Sequence, residues 1–356
     1  MNERISTLSH LILPLLEWFR DNQRTLPWRS DPTPYHVWVS EIMLQQTRVA
    51  AVLGYYRRFM EALPTVADLA QVEEDQLLKL WQGLGYYNRA RNLQKAARQI
   101  MEQFGGQFPR SYPDLLSLAG VGDYTAGAIA SIAFGLPEPA VDGNVLRVVT
   151  RITGDPSDIS QAATKKVIRA ALAEVIPLQA PGDFNQALME LGALVCLPNG
   201  APDCAHCPAH GFCAAHLTGK TAQIPVKGAK KPRKIEERTV YLLFHCGQVA
   251  LRRRPAKGLL AGLWEFPNEV VGSAESAGWG LDLTQAEVCG VGRHVFTHRE
   301  WHMTGKQLFL ANETLPEGWV WADEKAFCET YAVPNAFSAF LPAVEAYFAQ
   351  WRGGLS

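Results

Sequence analysis

The chain has 356 residues, a formal net charge of −1 and 47% hydrophobic residues. This length fits two or three domains, and the apolar content is enough for a buried core, which excludes an intrinsically disordered chain. The near-neutral charge excludes nucleic-acid binding through a global positive field, so any such affinity must come from a local basic face.

The first segment, residues 5–22, is predicted to form an amphipathic helix. The N-terminus is not typical of a signal peptide, because Glu3 stands early, Glu17 and Asp21 stand late, and no small-residue cleavage site follows. No apolar run approaches the roughly 18 residues that a membrane span needs. We therefore expect a cytoplasmic protein with no membrane partner.

Helical spacing of apolar residues continues along the chain to about residue 217, with no alternating strand pattern. After proline breaks, a helix is predicted from about His36 to Gln46. Within it, Glu41 stands among apolar neighbours, so its carboxylate lies either on the solvent face or in a pocket that raises its pKa.

The stretch Leu115–Asn144 contains a predicted helical hairpin. A short helix, Pro113–Leu118, is followed by Gly120-Val121-Gly122 and by a second helix from about Asp123 to Phe134. A third helix begins just after Asp142. Glycines permit a close backbone approach, and the following helix presents unpaired N–H groups that suit a DNA phosphate. The alternative is an ordinary helical corner in which Asp142 only caps a helix.

Four clustered cysteines, Cys196, Cys204, Cys207 and Cys213, have the spacing Cys-x7-Cys-x2-Cys-x5-Cys. Such a cluster indicates a metal site rather than a disulfide framework. The spacing alone leaves zinc and an iron–sulfur cluster open, since both take four thiolates.

The chain changes character after residue 218. The stretch from Gly219 to Arg238 has seven Lys or Arg, two Glu and two Pro, which predicts a basic linker. Strand-like runs follow at TVYLLFHC, QVALRRR, REWHMTGKQLFLA and WVWA, and the tail from Phe337 to Trp351 is predicted to be helical. The second domain is therefore predicted to be α+β.

Several long motifs carry a resemblance. LAGVGDYTAGAIAS followed by PAVDGNVLRVVTR resembles the helix-hairpin-helix and catalytic-aspartate segment of the endonuclease III superfamily of DNA glycosylases. VSEIMLQQTRV and GLGYYNRARNL are similar to its adenine glycosylase branch, the MutY family. The resemblance covers most of the chain. It implies an all-α helix-hairpin-helix glycosylase domain with an iron–sulfur loop at 1–218, a basic linker at 219–236 and an α+β Nudix-like domain at 237–356.

The resemblance also implies catalytic roles. Glu41 corresponds to the general acid and Asp142 to the nucleophile or electrostatic partner, while Tyr124 and Asn144 correspond to supporting residues. Hydrolysis of a glycosidic bond needs two carboxyl groups of different environment, which fits this pair. Related bifunctional enzymes have a lysine where Tyr124 stands, and no lysine occurs from Leu115 to Asn144, which indicates a monofunctional glycosylase.

Binding residues follow from the resemblance in the same way. Arg24, Trp28 and Gln186 correspond to positions that line the adenine pocket. An enzyme that acts on a base must extrude it from the duplex, and side chains that fill the gap offset part of that cost. The implied DNA-contacting residues of the first domain are Gln46, Thr47, Tyr86, Gly120 and Gly122.

The second domain resembles the Nudix-like module of this branch. The stretch LLAGLWEFPNE is the most specific part of this resemblance. No Glu-rich metal-binding helix follows it, so we expect recognition without hydrolysis. Phe296, Thr297 and His298 resemble the loop that contacts oxidised guanine, which usually reads Phe-Ser-His. The superfamily carries a [4Fe–4S] cluster on four cysteines. Its first gap has six residues, and here it has seven.

The resemblance therefore implies a monomeric bacterial enzyme, cytoplasmic and associated with the nucleoid, that removes adenine paired with 8-oxoguanine or guanine in double-stranded DNA. Two alternatives stay open. One is an endonuclease III-type glycosylase/lyase, and the other is a non-catalytic iron–sulfur DNA-binding protein.

Overall fold

The structure, a computed structural model, describes residues 3–228, 232–312 and 314–354. The chain forms two compact units. One contains the described residues up to Gln71 and those from Asn92 to Gly228, and the other contains Val72–Arg91 and the described residues from Pro232 onward. The domain bounds drawn from the sequence stay a prediction, and residues 229–231 of the predicted linker lie outside the described part.

The first unit is helical, as predicted. Its helices are α1 (Glu3–Asn22), α2 (Pro27–Ser30), α3 (Pro34–Leu44), α4 (Val49–Ala62), α5 (Val66–Gln71), most of α7 (Asn88–Gln103), α8 (Tyr112–Ser117), α9 (Asp123–Ala128), α10 (Gly143–Thr153), α11 (Ala162–Ala173), α12 (Pro181–Leu194) and α13 (Ala214–Leu217). No helix among the described residues is long and apolar enough to cross a membrane.

Capping residues fix where the helices that carry the site begin. Thr33 caps α3 by accepting a hydrogen bond from the His36 N–H, and Pro34 occupies the first helical position, where no N–H is needed. Ser111 caps α8 through the Asp114 N–H. Helix α10 ends at Gly154 in the left-handed conformation, with φ 67°.

The predicted second hairpin helix is interrupted. Helix α9 ends at Ala128, and residues Ile129–Ala133 form a wider π turn. The Ser131 hydroxyl donates to the Gly127 carbonyl at 2.8 Å inside this turn, a bond that bends helices. Wide turns of this kind are frequent at functional sites.

The core of the first unit is built from α1, α10, α11 and α12. Leu8, Leu11 and Leu15 of α1 recur at helical spacing and are fully buried. They meet the buried face of α10, and helices α10 and α12 pack directly against each other. This core holds the start of α10, and therefore Asp142, in place.

The second unit is α+β, as predicted. It contains α6 (Glu74–Leu80), the strands β1 (Lys234–His245), β2 (Gln248–Arg253), β3 (Trp264–Glu265), β4 (Asn268–Val270), β5 (Glu287–Val295), β6 (Arg299–Phe309) and β7 (Trp319–Ala322), and the helices α14 (Glu324–Glu329) and α15 (Leu341–Gly354). The strand order is β3-β2-β1-β6-β5, with β4 on β1 and β7 on β2. Strands β1 and β6 are parallel, and the other pairs are antiparallel.

The sequence missed three strands of this sheet, β3, β4 and β5. Strand β5 contains two glycines, Gly290 and Gly292, which weaken a strand pattern. A Cβ at Gly292 would lie 2.9 Å from Ala339 Cβ and 3.3 Å from the Phe340 ring. Gly292 therefore weakens the strand signal in the sequence but lets the segment Asn335–Phe340 pack on strand β5.

Candidate functional site

Glu41 lies in the interior of the first unit. Every residue of α3 from Val37 to Met43 is buried, and Glu41 is 6% exposed. Helix α3 packs against α9 and the π turn, so this helix has no solvent face at Glu41. The structure therefore places the carboxyl group in a pocket, and the solvent-face alternative is wrong.

The Glu41 carboxyl group is held by Tyr124 of α9. The Tyr124 hydroxyl donates a short hydrogen bond to Glu41 Oε2 and lies 3.3 Å from the sulfur of Met189. Burial raises the pKa of Glu41 to about 7, and the charge of Asp142 adds to this rise, while the Tyr124 bond opposes it. A carboxyl group in this state can act as a general acid near neutral pH.

Asp142 caps a helix, and its carboxyl group is close enough to Glu41 to affect the pKa of that residue. Its Oδ1 accepts from the Val145 N–H at 2.8 Å, and its Oδ2 accepts from Asn144 Nδ2 at 2.8 Å. Burial raises the pKa of Asp142, and these donors and the charge of Arg147 oppose that rise. A capping role for Asp142 and the catalytic role that the resemblance implies are therefore compatible.

A hydrogen-bonded chain leads from Asp142 to the cysteine loop. Asn144 Oδ1 accepts from Arg147 Nη2 at 2.9 Å. The same guanidinium donates to the Gly192 carbonyl at 2.8 Å and to the Cys196 carbonyl at 2.7 Å. Arg147 thus ties the side chain beside Asp142 to the backbone of the first cysteine.

A second polar group surrounds Glu190 of α12. Arg24 makes a two-pronged contact with its carboxylate, with nitrogen–oxygen distances of 2.7 and 2.8 Å, and Arg29 donates to it at 2.9 Å. Burial alone would raise the pKa of Glu190, but these bonds lower it to about 2. Arg29 Nε also donates to Gln186 Oε1 at 3.0 Å. The predicted pocket residues Arg24 and Gln186 are therefore joined through Glu190 and Arg29.

Trp28 is less accessible than the other predicted pocket residues. It is 5% exposed, and its ring meets Tyr56 edge to face at 5.1 Å between centroids. Its neighbour Arg29 is the residue that reaches Glu190 and Gln186. A stacking role for Trp28 on a base stays a prediction.

The two hairpin glycines have different surroundings. Gly120 has φ 74°, and a Cβ there would lie 2.6 Å from Asn92 Cβ, so only glycine fits. Gly122 has extended backbone and would meet no atom within 4 Å. The structure explains Gly120 by packing and leaves the surface at Gly122 open.

Gln46 and Thr47 follow the end of α3 on an exposed turn. Gln46 is exposed and has φ 60°, an uncommon conformation for a residue other than glycine. Thr47 is half-buried, and its hydroxyl donates to the Gln45 carbonyl at 3.4 Å. Residues held in such conformations cluster at functional sites.

Tyr86 and the predicted reading loop belong to the second unit. Tyr86 is 50% exposed with φ 48°, and its hydroxyl lies 3.1 Å from the Thr297 hydroxyl. Thr297 and His298 are exposed at the turn between β5 and β6. Phe296 is half-buried between His294 and Trp301, with ring centroids at 4.6 and 4.8 Å.

The four clustered cysteines line one cavity of the first unit, together with Arg151, His210 and His216. Burial raises the pKa of Cys207 to about 12, so the thiolate form needs a neutralising partner. Among the described residues, no group of three or more Cys, His, Asp or Glu is spaced to hold one metal ion. Four thiols around one cavity form a donor set that either an iron–sulfur cluster or zinc could use.

Comparisons with known proteins agree with this geometry. The profile of the HhH-GPD superfamily base excision DNA repair proteins matches residues 39–177, and a NUDIX domain profile matches residues 239–343. The adenine DNA glycosylase of Homo sapiens is 35% identical, over 90% of this chain and 71% of the relative. That of Buchnera aphidicola subsp. Baizongia pistaciae is 38% identical, over 71% of this chain and 72% of the relative.

The chain belongs to the adenine DNA glycosylase family. Among solved structures, a thermostable thymine-DNA glycosylase is 26% identical with a TM-score of 0.53 and covers 61% of this chain and 98% of its own. A non-covalent endonuclease III–DNA complex is 26% identical, with a TM-score of 0.52, over 60% of this chain and 97% of its own. The predicted family and fold class are confirmed.

Four residues of this adenine DNA glycosylase family member were missed by the sequence analysis: Arg29, Arg147, Arg151 and Glu190. Two signals were available. Glu190 follows Gln186 by four residues on α12, and Arg147 and Arg151 follow Asn144 by three and seven residues on α10, so each set shares a helix face. Nothing in the sequence indicated that Arg29 would reach across to α12.

Proposed function

We propose that this protein excises adenine opposite 8-oxoguanine or guanine in double-stranded DNA and leaves the strand intact. One observation carries the proposal, namely the two neighbouring carboxyl groups of unlike environment in the first unit. Glu41 is buried with a pKa of about 7, and Asp142 accepts hydrogen bonds from Val145 and Asn144 that favour its anion.

Glu41 supplies the proton. Adenine is a poor leaving group, and a proton placed on its imidazole-ring nitrogen lets it leave as a neutral base when the C1′–N9 bond breaks. Tyr124 donates to Glu41 Oε2, so the acidic proton is left on the other oxygen. The raised pKa of Tyr124 keeps its hydroxyl protonated while it does so.

Asp142 stabilises the cationic sugar. As the bond breaks, positive charge develops at C1′, and a fixed carboxylate lowers the free energy of that state. Asn144 and the Val145 N–H orient the two Asp142 oxygens. Water then adds to C1′, and its proton restores the Glu41 carboxylic acid. No lysine stands from Leu115 to Asn144 to form a Schiff base, so the strand is not cleaved.

Gln186 and Arg24 fit recognition of the base. Because Arg29 Nε can only donate, Gln186 must present Oε1 to it, and its amide N–H groups are left for a ring nitrogen of adenine. Glu190 fixes Arg24 in place with a two-pronged contact. Trp28 is proposed to support this pocket from the side of α2.

The DNA contacts come from both units. In the first unit, the backbone at Gly120 and Gly122 approaches a phosphate, and Gln46 and Thr47 contact the base stack. In the second unit, Tyr86 enters the stack, and Phe296, Thr297 and His298 form the loop that contacts the oxidised base. The support for these roles is the exposure of Gln46, Tyr86 and Thr297 and the unusual φ of the first two.

Cys196, Cys204, Cys207 and Cys213 are proposed to hold a [4Fe–4S] cluster, which supplies a structural link across the loop. The purified protein should then be yellow-brown with about four iron atoms per chain. Cys204→Ser should lose iron and folded protein, whereas Cys246→Ser, at an exposed cysteine outside the group, should keep both. A colourless protein with one zinc per chain would contradict the cluster. It would indicate that the seven-residue gap between Cys196 and Cys204 changes which metal is bound.

An excision assay tests the function. Duplexes carry one adenine opposite 8-oxoguanine, guanine or thymine, and products are separated with and without alkali. We expect strand breaks only after alkali, fastest opposite 8-oxoguanine and absent opposite thymine. Breaks without alkali would indicate a glycosylase/lyase, and binding without any excision would indicate a non-catalytic DNA-binding protein.

A further inference from the structure

The side chain of Asn185 on α12 is buried and forms three hydrogen bonds. Asn185 is 1% exposed. Its Oδ1 accepts from the Ala140 N–H at 3.0 Å, and its Nδ2 donates to the Glu138 carbonyl at 2.9 Å and to the Ser131 hydroxyl at 2.8 Å. Because the oxygen faces a donor and the nitrogen faces two acceptors, only one orientation of the amide fits.

Two of these bonds hold the extended segment that leads to Asp142. The Glu138 carbonyl and the Ala140 N–H flank one residue, and the Asn185 amide binds both, as a peptide group of a neighbouring strand would. Ala140 is fully buried, so water cannot readily replace the bond to its N–H. The segment is therefore fixed to α12 two residues before Asp142.

The third bond joins the π turn to the same amide. The Ser131 hydroxyl donates to the Gly127 carbonyl at 2.8 Å, so its lone pair is left to accept from Asn185. Gly127 lies one turn after Tyr124, and a Cβ at Gly127 would lie 2.3 Å from the Pro139 carbonyl oxygen. The helix that carries Tyr124 and the extended segment therefore touch, and Asn185 binds both.

Helix α12 also reaches the other carboxyl group of the site. The sulfur of Met189, one turn after Asn185, lies 3.3 Å from the Tyr124 hydroxyl, which donates to Glu41. One helix thus contacts the hydrogen-bond partner of Glu41 and the segment that precedes Asp142.

We propose that Asn185 is a positioning residue whose amide fixes the separation between the Glu41 and Asp142 carboxyl groups. Its three bonds go to the extended segment and the π turn, so it acts on Asp142 through the backbone. The effect on excision rests on the proposed function. A catalytic group displaced by about 1 Å can cost about 100-fold in rate.

Three variants test this proposal by single-turnover excision at saturating enzyme. Asn185→Leu keeps the approximate size and removes all three bonds, and the rate should fall about 30- to 100-fold while affinity for the mispair is kept. Ser131→Ala removes one bond, and the rate should fall about three- to tenfold. The matched control is Tyr35→Phe, which removes a buried bond of 2.8 Å to the Leu63 carbonyl and should keep the wild-type rate.

The pH dependence of the rate separates positioning from a general loss of stability. Tyr124, Asp142 and Arg29 act on the pKa of Glu41, and the charge of Asp142 raises it. A loosened segment holds Asp142 less closely, so this contribution weakens. The fall in rate at alkaline pH should therefore move to lower pH in Asn185→Leu and stay in place in Tyr35→Phe.

A wild-type rate in Asn185→Leu, or a slower rate with an unmoved pH profile, would overturn the inference. If Asn185→Leu does not fold, Ser131→Ala decides by the same two measurements. An NMR titration of the Glu41 carboxyl carbon in the DNA-free proteins, assigned with Glu41→Gln, needs no excision. If the wild type excised adenine from no duplex, the proposed function would fail, and equal Glu41 pKa values in the wild type and the variant would still refute the role of Asn185.

Discussion

At the scale of single residues, Glu41 and Asp142 have different surroundings. Glu41 is buried among mostly apolar neighbours and accepts from the Tyr124 hydroxyl, and burial raises its pKa to about 7. Asp142 has a backbone N–H and an amide on its two oxygens, and these donors oppose the rise in its pKa that burial causes. The resemblance identifies the pair, and the fold adds the hydrogen-bond partners of each carboxyl group.

Asp142→Asn separates charge from capping, because an asparagine oxygen still accepts from the Val145 N–H. We expect a fall in the single-turnover excision rate of at least about 100-fold, typical of removing one group that stabilises transition-state charge. The bond from Val145 is kept and the bond from Asn144 is lost, so the free energy of unfolding should fall by no more than about 1–2 kcal/mol. A variant that is destabilised but turns over normally would show that Asp142 is only a cap.

The raised pKa of Glu41 links stability to pH. The unfolded carboxyl group loses its proton near 4.5 and the folded one near 7, so stability falls as the pH rises between these values and is then level. Glu41→Gln does not titrate, so its stability relative to the wild type should rise over that window, by roughly 3 kcal/mol at most. Urea unfolding at pH 4.5, 6 and 8 measures this, and a constant difference would contradict a raised pKa.

At the scale of elements, α10 connects Asp142, the residue that caps it, to the cysteine loop. Arg147 binds Asn144, Gly192 and Cys196 with one guanidinium. Lysine keeps the charge but cannot reproduce this fork. Arg147→Lys should therefore slow excision roughly ten- to hundredfold while mispair binding is kept, and Arg20→Lys on the exposed face of α1 should not. Equal excision rates for the two variants would show that the hydrogen bonds of Arg147 do not position Asp142.

Alanine substitutions at the two hairpin glycines should have different effects. Gly120→Ala forces a left-handed alanine against Asn92 and should lower the free energy of unfolding by about 1–2 kcal/mol or more. Gly122→Ala meets no protein atom, so stability should be near normal while affinity for any duplex falls. Thermal unfolding and a binding titration at fixed salt separate the two effects. Normal DNA affinity in Gly122→Ala would remove this position from the phosphate contact.

At the scale of the whole molecule, the sequence predicted the elements that depend on neighbouring residues. It missed the contacts between residues that are far apart in the chain. The hairpin, α3 and the start of α10 follow from glycine, proline and capping residues close in the chain. Arg29 and Glu190 are 161 positions apart, and no periodicity connects them. The link between Tyr86 and Thr297 was likewise invisible, because a hydrogen bond between distant loops leaves no local pattern.

The most direct test of the account is single-turnover excision by Glu41→Gln on a duplex with adenine opposite 8-oxoguanine, with affinity measured on the same duplex. Glutamine fills the same pocket and still accepts from Tyr124, but it has no proton to give. The account predicts wild-type affinity and a loss of rate of about 1,000-fold or more, within the span of general-acid catalysis. Excision by Glu41→Gln within tenfold of the wild-type rate would contradict it.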